Sequence, residues 1–220
     1  MHDSNHSSKT PTHINADSAI INLLAHNCSK NLYTTAMPAP KRLPIVVRPA
    51  HADDIHLLAN FDHSYSTDYV WQVDVREEPG RHTQVAFRQI RLPRSVRVMY
   101  PRDAEMLATL WTQRRLFIVA EVENQVRGYL SVMDGTMNDT GWVAEFAVER
   151  KVRRQGVGTA LISSAVDWGR QAGLRRLLIE VQSKNYPAIC FCQKHGLAFC
   201  GYNDLYFANQ DIALFFGISL

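Results

Sequence analysis

The spacing of apolar residues along the chain predicts which segments are strands and which are helices. Apolar runs, and runs that alternate with polar residues, are typical of strands, whereas three- and four-residue spacing is typical of helices. In 158–173, for example, Leu161, Ala165 and Trp168 share one helical face. The predicted strands are 44–50, 69–75, 83–93, 115–122, 126–133, 142–148, 175–182, 197–208 and 212–220. The predicted helices are 51–61, 101–111, 158–173 and 187–196.

Strands and helices alternate in the second half of the chain, after a hairpin at 115–133. Alternation of this kind is typical of a sheet covered by helices, with strands of mixed direction. The sequence therefore predicts an α/β fold.

The first 43 residues lack this pattern. They begin with MHDSNHSSKTPTHINADS, a polar stretch rich in Ser, Asn and His, and end in the proline-punctuated segment MPAPKRLP (37–44). We therefore predict a disordered tail and linker at 1–43 and one folded domain at 44–220. Met37 lies just before that domain, so an alternative interpretation is that residues 1–36 are not part of the native protein.

Composition excludes several classes of protein. A net charge of +3, with basic and acidic residues interspersed, argues against a nucleic-acid partner. No run of 18 apolar residues is present, which argues against a membrane span. The cysteines do not resemble a disulfide framework, because three of the four lie within eleven residues, so we expect a cytoplasmic protein.

A basic turn with two glycines stands where a predicted strand passes into a predicted helix, in VRRQGVG (152–158). The first amides of a helix lack intrahelical partners, and glycine lets an anion approach the backbone closely. Arg153 and Arg154 add positive charge at this turn. The dinucleotide and P-loop fingerprints do not match, because position 161 is Leu and no Lys follows the second glycine. A solvated basic turn and a nucleic-acid patch are the alternatives.

The same segment resembles the R/Q-x-x-G-x-G/A signature of the GNAT family, the GCN5-related N-acetyltransferases, with Arg153, Gly156 and Gly158 at the signature positions. The resemblance continues through LLIEV and SKNYPAICFCQKHGLAF and covers about residues 115–207. The C-terminal GYNDLYFANQDIALFFGISL resembles the streptothricin acetyltransferase branch of the family.

This resemblance implies a central, mostly antiparallel mixed sheet whose strands splay apart around acetyl-CoA, the acyl donor. It places the diphosphate on 153–158 and the pantetheine arm beside 146–148, with the Val148 N–H near the thioester carbonyl and Asn185 near the amide chain. The implied cofactor-binding residues are Phe146, Ala147, Val148, Arg153, Arg154, Gln155, Gly156, Val157, Gly158, Thr159, Asn185 and Ala188.

Two acidic residues are candidates for the proton acceptor that amine acetylation requires. Glu180 is the one charged residue in the apolar run LLIEV, and it matches the base of the ribosomal-protein alanine acetyltransferases of this family. Burial would raise its pKa into the useful range; the alternative is a structural pair with Arg175 or Arg176. Glu145 precedes the cofactor strand and is a candidate base or amine ligand.

Cys192 departs from the family pattern, in which a Tyr at this position protonates the departing thiolate. A thiol is acidic enough for that role but shorter than a phenol. Packing, an acetyl-thioester relay, and replacement by water, Tyr186 or Tyr202 are the alternatives. A zinc site is not expected, because no C-x-x-C pair is present.

The sequence thus predicts an acetyl-CoA-dependent N-acetyltransferase that acts on a primary amine, for example of an antibiotic such as streptothricin. Acetylation of protein N-termini or lysines and a non-catalytic acyl-CoA-binding module are the alternatives. An acidic stretch favours a cationic amine if it lines the acceptor cleft, and it is otherwise a solvated surface. We expect a monomer or a homodimer. The acidic residues of that stretch are Asp62, Asp68, Asp74, Glu77 and Glu78.

Overall fold

The structure is a computed structural model, and it describes residues 44–220 except 81, 102–104, 136 and 138. Contacts divide the chain into Met1–Thr35 and Ala36–Leu220, and all described residues belong to the second unit. The predicted tail lies outside the described residues, so its disorder stays a prediction.

The described residues form nine strands, four α-helices and two short 3₁₀ helices. The strands are β1 Ile45–Pro49, β2 Tyr65–Glu78, β3 His82–Val98, β4 Leu116–Val122, β5 Gln125–Asp134, β6 Thr140–Val148, β7 Arg176–Gln182, β8 Ala198–Asn203 and β9 Ala213–Ser219. The α-helices are α1 Ala52–Ala59, α2 Glu105–Leu110, α3 Val157–Gln171 and α4 Tyr186–Lys194. The 3₁₀ helices are Trp111–Gln113 and Arg150–Val152.

Seven of these strands form one sheet in the order β1-β4-β5-β6-β7-β9-β8. All neighbours in it are antiparallel except β6 and β7, which are parallel. The parallel pair is joined by α3, which crosses over one face of the sheet, as a parallel connection requires.

Strands β2 and β3 form a separate antiparallel hairpin, which we call the arm. Both strands extend beyond the predicted 69–75 and 83–93, because backbone pairing continues through polar residues that carry no apolar pattern. The arm packs on the main sheet at Trp71, which lies against Phe87 of the arm itself and contacts Phe199 of β8 and Phe216 of β9. The backbone N–H of Trp71 also donates to the Ser183 carbonyl at 2.9 Å, just after β7.

Helices cover both faces of the sheet. On one face, Val157 and Leu161 of α3 pack against Leu130 and Val143 of the sheet. On the other face, α1 and α2 pack against β4 and β5 through a smaller apolar cluster. That cluster consists of Ile55, Leu58, Leu107, Val119 and Tyr129.

The structure confirms the predicted α/β class, the mixed and mostly antiparallel sheet, and the flanking helices. One predicted strand is much shorter than the sequence pattern indicates: the strand predicted at 197–208 ends at Asn203, where a loop begins that extends to Ile212. The segment predicted as a helix at 101–111 contains the α-helix Glu105–Leu110, and a 3₁₀ helix begins at Trp111. No helix in the described ranges is long and apolar enough to cross a membrane.

Candidate active site

The main sheet opens between its two parallel strands. Thr140–Val143 of β6 pair with Arg176–Ile179 of β7, and the pairing stops there. Residues 144–148 and 180–182 continue on diverging paths, still paired to their other neighbours β5 and β9. We call the space between them the gap; it is the splay that the family resemblance implies at this place.

Backbone groups of β6 face the gap. The Glu149 N–H donates to the Arg127 carbonyl at 2.7 Å, so that this pair is hydrogen-bonded across β5 and β6. Hydrogen-bonded and non-hydrogen-bonded pairs alternate along an antiparallel ladder. The N–H and C=O groups of Val148 and Phe146 therefore point away from β5 and into the gap, where a partner for them can lie.

The glycine turn lies where β6 passes into α3. Gly156 is the N-cap of α3 and has φ +99°, a left-handed conformation that side chains rarely adopt. Arg154 also has a positive φ, of 67°, and its side chain is exposed. Inside the helix the Ala160 N–H donates to the Gly156 carbonyl. The amides of 157–159 precede this first bond and form the positive end of the helix dipole.

The first turn of α3 also packs against α4. A Cβ on Gly158 would lie 3.2 Å from the Phe191 ring and 3.5 Å from Phe146, so glycine permits this close approach. The Thr159 Oγ1 lies 3.2 Å from Nε2 of His195 at the end of α4. Val157 is buried, and the exposed Gln155 donates back to a backbone carbonyl.

Arg153 is turned inward rather than toward solvent. Its Nε donates to the Val148 carbonyl at 2.8 Å, and its two terminal nitrogens donate to the carbonyls of Ser64 at 2.9 Å and Asp62 at 3.2 Å. Burial lowers the pKa of this guanidinium, partly opposed by the Asp62 carboxylate. The signature arginine therefore ties the segment 62–64 to the end of β6.

Glu180 lies on β7 beside the gap. Its neighbours Ile179 and Val181 point to the α3 face, so Glu180 points to the opposite face, where it is 7% exposed. The Tyr206 hydroxyl donates to Oε2 of Glu180 at 2.6 Å. Tyr206 comes from the loop between β8 and β9, in the segment that the sequence predicts as a strand. The structure therefore places a largely buried, oriented carboxylate at the deepest part of the gap.

Glu145 lies on the same face of β6 but is held by an arginine. Its carboxylate accepts from Arg114 Nη2 at 2.5 Å and Nε at 3.1 Å, and Ser131 Oγ also donates to it. The side chains of Arg114 and Glu145 are 9% and 18% exposed. A two-pronged arrangement of this kind fixes both groups. It favours a structural role for Glu145 over that of a base or an amine ligand.

The predicted residues of α4 occupy different surroundings. The Asn185 side-chain oxygen accepts from the Ala188 N–H at 3.2 Å and caps the helix, which leaves the amide NH₂ group for a ligand. Cys192 is 1% exposed in the core, where burial raises its thiol pKa to about 12. This placement favours packing over proton donation.

The cysteines of the described residues differ in their surroundings. Cys192 and Cys200 are free thiols. Cys190 is half-buried on α4, whereas Cys192, two residues later, is enclosed by the core and is not accessible to solvent.

Two proton-carrying side chains near the gap are absent from the sequence prediction. The Tyr129 hydroxyl lies 2.7 Å from His63 Nε2, and Tyr129 faces Ala147 directly across β5 and β6. The Tyr in VRGYLSVM could have been found from the hairpin, since its alternation with Leu130 places it on the face opposite α3. His63 could not, because the loop that carries it is positioned by Arg153.

The acidic stretch is largely exposed, and part of it is paired with residues of the arm. Asp62 pairs with Arg97 of β3 at 2.8 Å, and Asp74 pairs with Arg88 of β3 at 2.6 Å. The side chains of Asp68, Glu77 and Glu78 are exposed, and Glu78 Oε2 lies 3.8 Å from His82 Nδ1. Among the described residues no group of His, Cys, Asp or Glu is placed to hold a metal ion, and a metal-free site stays a prediction.

The structure thus brings the gap, the glycine turn and Glu180 together. The amino-acid sequence that forms them is also similar to that of known proteins. The sequence model of the acetyltransferase (GNAT) family matches residues 84–197, just over half of the chain. A streptothricin acetyltransferase of Streptomyces lavendulae is 25% identical over 159 residues, which is 70% of this chain and 82% of that relative.

Solved structures share the fold. The crystal structure of a nourseothricin acetyltransferase superposes with a TM-score of 0.68 at 23% identity and covers 80% of this chain and 98% of its own. A Bacillus anthracis protein assigned as a streptothricin acetyltransferase, solved with acetyl coenzyme A, gives a TM-score of 0.64 at 18% identity, covering 81% and 99%.

Proposed function

Because this chain belongs to the acetyltransferase (GNAT) family, we propose that it transfers the acetyl group of acetyl-CoA to a primary amine of a small cationic acceptor of the streptothricin class. The family assignment confirms the prediction of an N-acetyltransferase that uses acetyl-CoA. The acceptor class is supported by the streptothricin acetyltransferase of Streptomyces lavendulae, which matches over most of both chains.

One observation carries the proposal: the gap between β6 and β7 ends at the glycine turn. The backbone amides of the turn suit a diphosphate, and the inward-facing groups of Phe146 and Val148 suit the amides of a pantetheine arm. The residues present therefore fit acetyl-CoA, which supplies the activated acetyl group. Its reactive end would lie deepest in the gap, near Phe146 and Glu180.

The chain contributes hydrogen bonds and a base. The N–H groups of Phe146 and Val148 point into the gap, so that either can stabilise negative charge on the thioester oxygen during attack. The Glu180 carboxylate accepts a proton from the attacking amine, and Tyr206 orients it. Glu180 is our candidate for the base because it lies beside the gap and is oriented by Tyr206, whereas Glu145 is fixed by Arg114 and Ser131.

The test is thiol release from acetyl-CoA by the full chain with a panel of amines: streptothricin, free lysine and peptides with free N-termini. We expect release to be fastest with streptothricin and mass spectrometry to show one acetyl group on its β-lysine amine. Release only with peptides would contradict the small-molecule acceptor while leaving the acetyl transfer intact.

Acetylation of a protein amine is the second candidate. It is favoured by Glu180, whose place in LLIEV is similar to that of the base of the ribosomal-protein alanine acetyltransferases. A non-catalytic acyl-CoA-binding module is the third candidate function. It is favoured by Cys192, which stands where the family pattern has a proton-donating Tyr. Binding of acetyl-CoA without thiol release for every amine would support the module.

Arg154 offers a direct test of the diphosphate site. Its side chain is exposed and its φ of 67° suits glycine, so Arg154→Gly removes the charge without backbone strain. We expect the Kd for acetyl-CoA, measured by calorimetry, to rise about tenfold, the effect of one charge-assisted hydrogen bond. Arg170→Ala is the control, because it removes the same charge near the other end of α3. Equal losses in the two variants would contradict a local contact.

A further inference from the structure

The position from which this family protonates the departing thiolate is occupied here by a buried cysteine. Cys192 is 1% exposed and enclosed by apolar residues of the core, so another group must serve. Tyr186, one alternative, packs on Tyr69 of the arm, and Tyr202, another, packs on Phe87 of the arm. These contacts direct both rings toward the arm.

Tyr129 on β5 and His63 form a pair of side chains that can carry a proton. The Tyr129 hydroxyl and His63 Nε2 lie 2.7 Å apart, and the two rings meet edge to face with centroids 6.0 Å apart. Tyr129 is buried, with Phe61 and Phe117 against its ring, so its orientation is fixed. His63 is half-buried and forms the outer member of the pair.

The pair lies beside the upper part of the gap. Tyr129 faces the small Ala147 across the strand pair, next to Val148, whose N–H points into the gap. The Arg153 guanidinium bonds at once to the Val148 carbonyl and to the Ser64 carbonyl, each within 3 Å. The loop that carries His63 is therefore held against the end of β6.

Tyr129 and Glu180 share one face of the sheet and lie at different depths. Leu130 points to the α3 face and Tyr129 to the other, as does Glu180 between Ile179 and Val181. Glu180 is level with Ala144, three residues before Ala147, which is about 10 Å along the strand. With the diphosphate on the glycine turn, the thioester sulfur would lie on the side of the acetyl carbon that leads to that turn, and Tyr129 lies toward the same side.

We propose that Tyr129 is the proton donor to the departing thiolate and that His63 returns a proton to it. This rests on the proposed function. As the tetrahedral adduct collapses, the carbon–sulfur bond breaks, its electron pair stays on sulfur, and the Tyr129 hydroxyl proton moves to that sulfur. The phenolate then takes the proton from His63 Nε2 while Nδ1 takes one from solvent, and the solvent regains a proton when Glu180 releases the one that it took from the amine. The pair ends neutral, as it began.

The electrostatics of the pair suit this sequence. Burial, with the negative charge of Glu145 and the neighbouring Tyr100, raises the pKa of Tyr129, so its hydroxyl is protonated when the thiolate departs. The same shift weakens the phenol as an acid, so the transfer needs the hydrogen bond from His63 to stabilise the phenolate as it forms. Burial and the positive Arg153 lower the pKa of His63, against the opposing Asp62, and keep its ring neutral at neutral pH. A neutral ring can carry its proton on Nε2 and direct it to Tyr129.

The test compares two variants that each lose one buried phenol hydroxyl. Tyr129→Phe is expected to lower kcat about 100-fold, within the range for a lost general acid, with an unchanged Kd for CoA by calorimetry. Tyr65→Phe is the matched control, because the Tyr65 hydroxyl is also buried but bonds to Gln182. A similar kcat for wild type and Tyr129→Phe would overturn the proposal, and so would equal losses in both variants.

A second variant tests the relay and serves if Tyr129→Phe does not fold. His63→Ala opens space at a half-buried position, and we expect imidazole added to the buffer to restore part of the lost kcat. A folded His63→Ala protein whose kcat is lowered and is not raised again by added imidazole would overturn the role of His63. Absence of thiol release by the wild type with every amine would instead contradict the proposed function itself.

Discussion

Replacing Glu180 with Gln is expected to lower kcat/KM for the amine by about 10²–10⁴-fold, the usual contribution of a general base. Glutamine keeps the shape of the side chain, and its oxygen can still accept the hydrogen bond from Tyr206. It cannot take a proton, so the attacking amine stays an ammonium ion. Thiol release at saturating acetyl-CoA measures the loss.

Two further measurements separate chemistry from folding. The Kd for acetyl-CoA should not change in Glu180→Gln, because the diphosphate and arm contacts come from β6 and α3. Tyr206→Phe is the matched variant, since it removes the 2.6 Å hydrogen bond and leaves the carboxylate. We expect a smaller loss there. A Glu180→Gln enzyme with wild-type kcat/KM would show that another group accepts the proton.

Arg114→Met is expected to destabilise the fold by about 3 kcal/mol, since removal of one partner leaves a desolvated charge unpaired. The pair with Glu145 is 9% and 18% exposed, and the carboxylate also accepts from Ser131. The measurement is the free energy of unfolding from a urea titration.

The double variant Arg114→Met with Glu145→Gln then decides the role of Glu145. Removing the orphaned charge should restore most of the stability, because a glutamine can keep the hydrogen bond from Ser131. If Glu145 is structural, the double variant acetylates at close to the wild-type rate. A stable but inactive double variant would return Glu145 to the list of catalytic groups.

Local pattern was enough to predict the cofactor turn. Gly156 and Gly158 mark a helix start in the sequence itself, and the helix that follows has a clear apolar face. The burial of Cys192 was within reach as well, because Ile189 three residues earlier lies on the same side of α4 and is also fully enclosed. Helical spacing alone therefore indicates that Cys192 is buried, although the family pattern suggests a catalytic role at this position.

Contacts between distant segments could not be predicted in this way. Arg153 suggests a phosphate ligand by its charge, yet in the fold it bonds to carbonyls some ninety residues earlier in the chain. The Arg114 partner of Glu145 likewise comes from another element, 31 positions away. Charge shows that a partner is needed, but only the assembled sheet selects which one.

The short seam of four residue pairs between β6 and β7 has a consequence for the durability of the protein. Between β6 and β7 the sheet divides into two halves that are joined by few backbone hydrogen bonds. A ligand bound in the gap would form hydrogen bonds with the unpaired backbone groups there. Because it binds only the folded form, it would shift the folding equilibrium toward that form by mass action. The lifetime of the enzyme would then follow the supply of its own acyl donor.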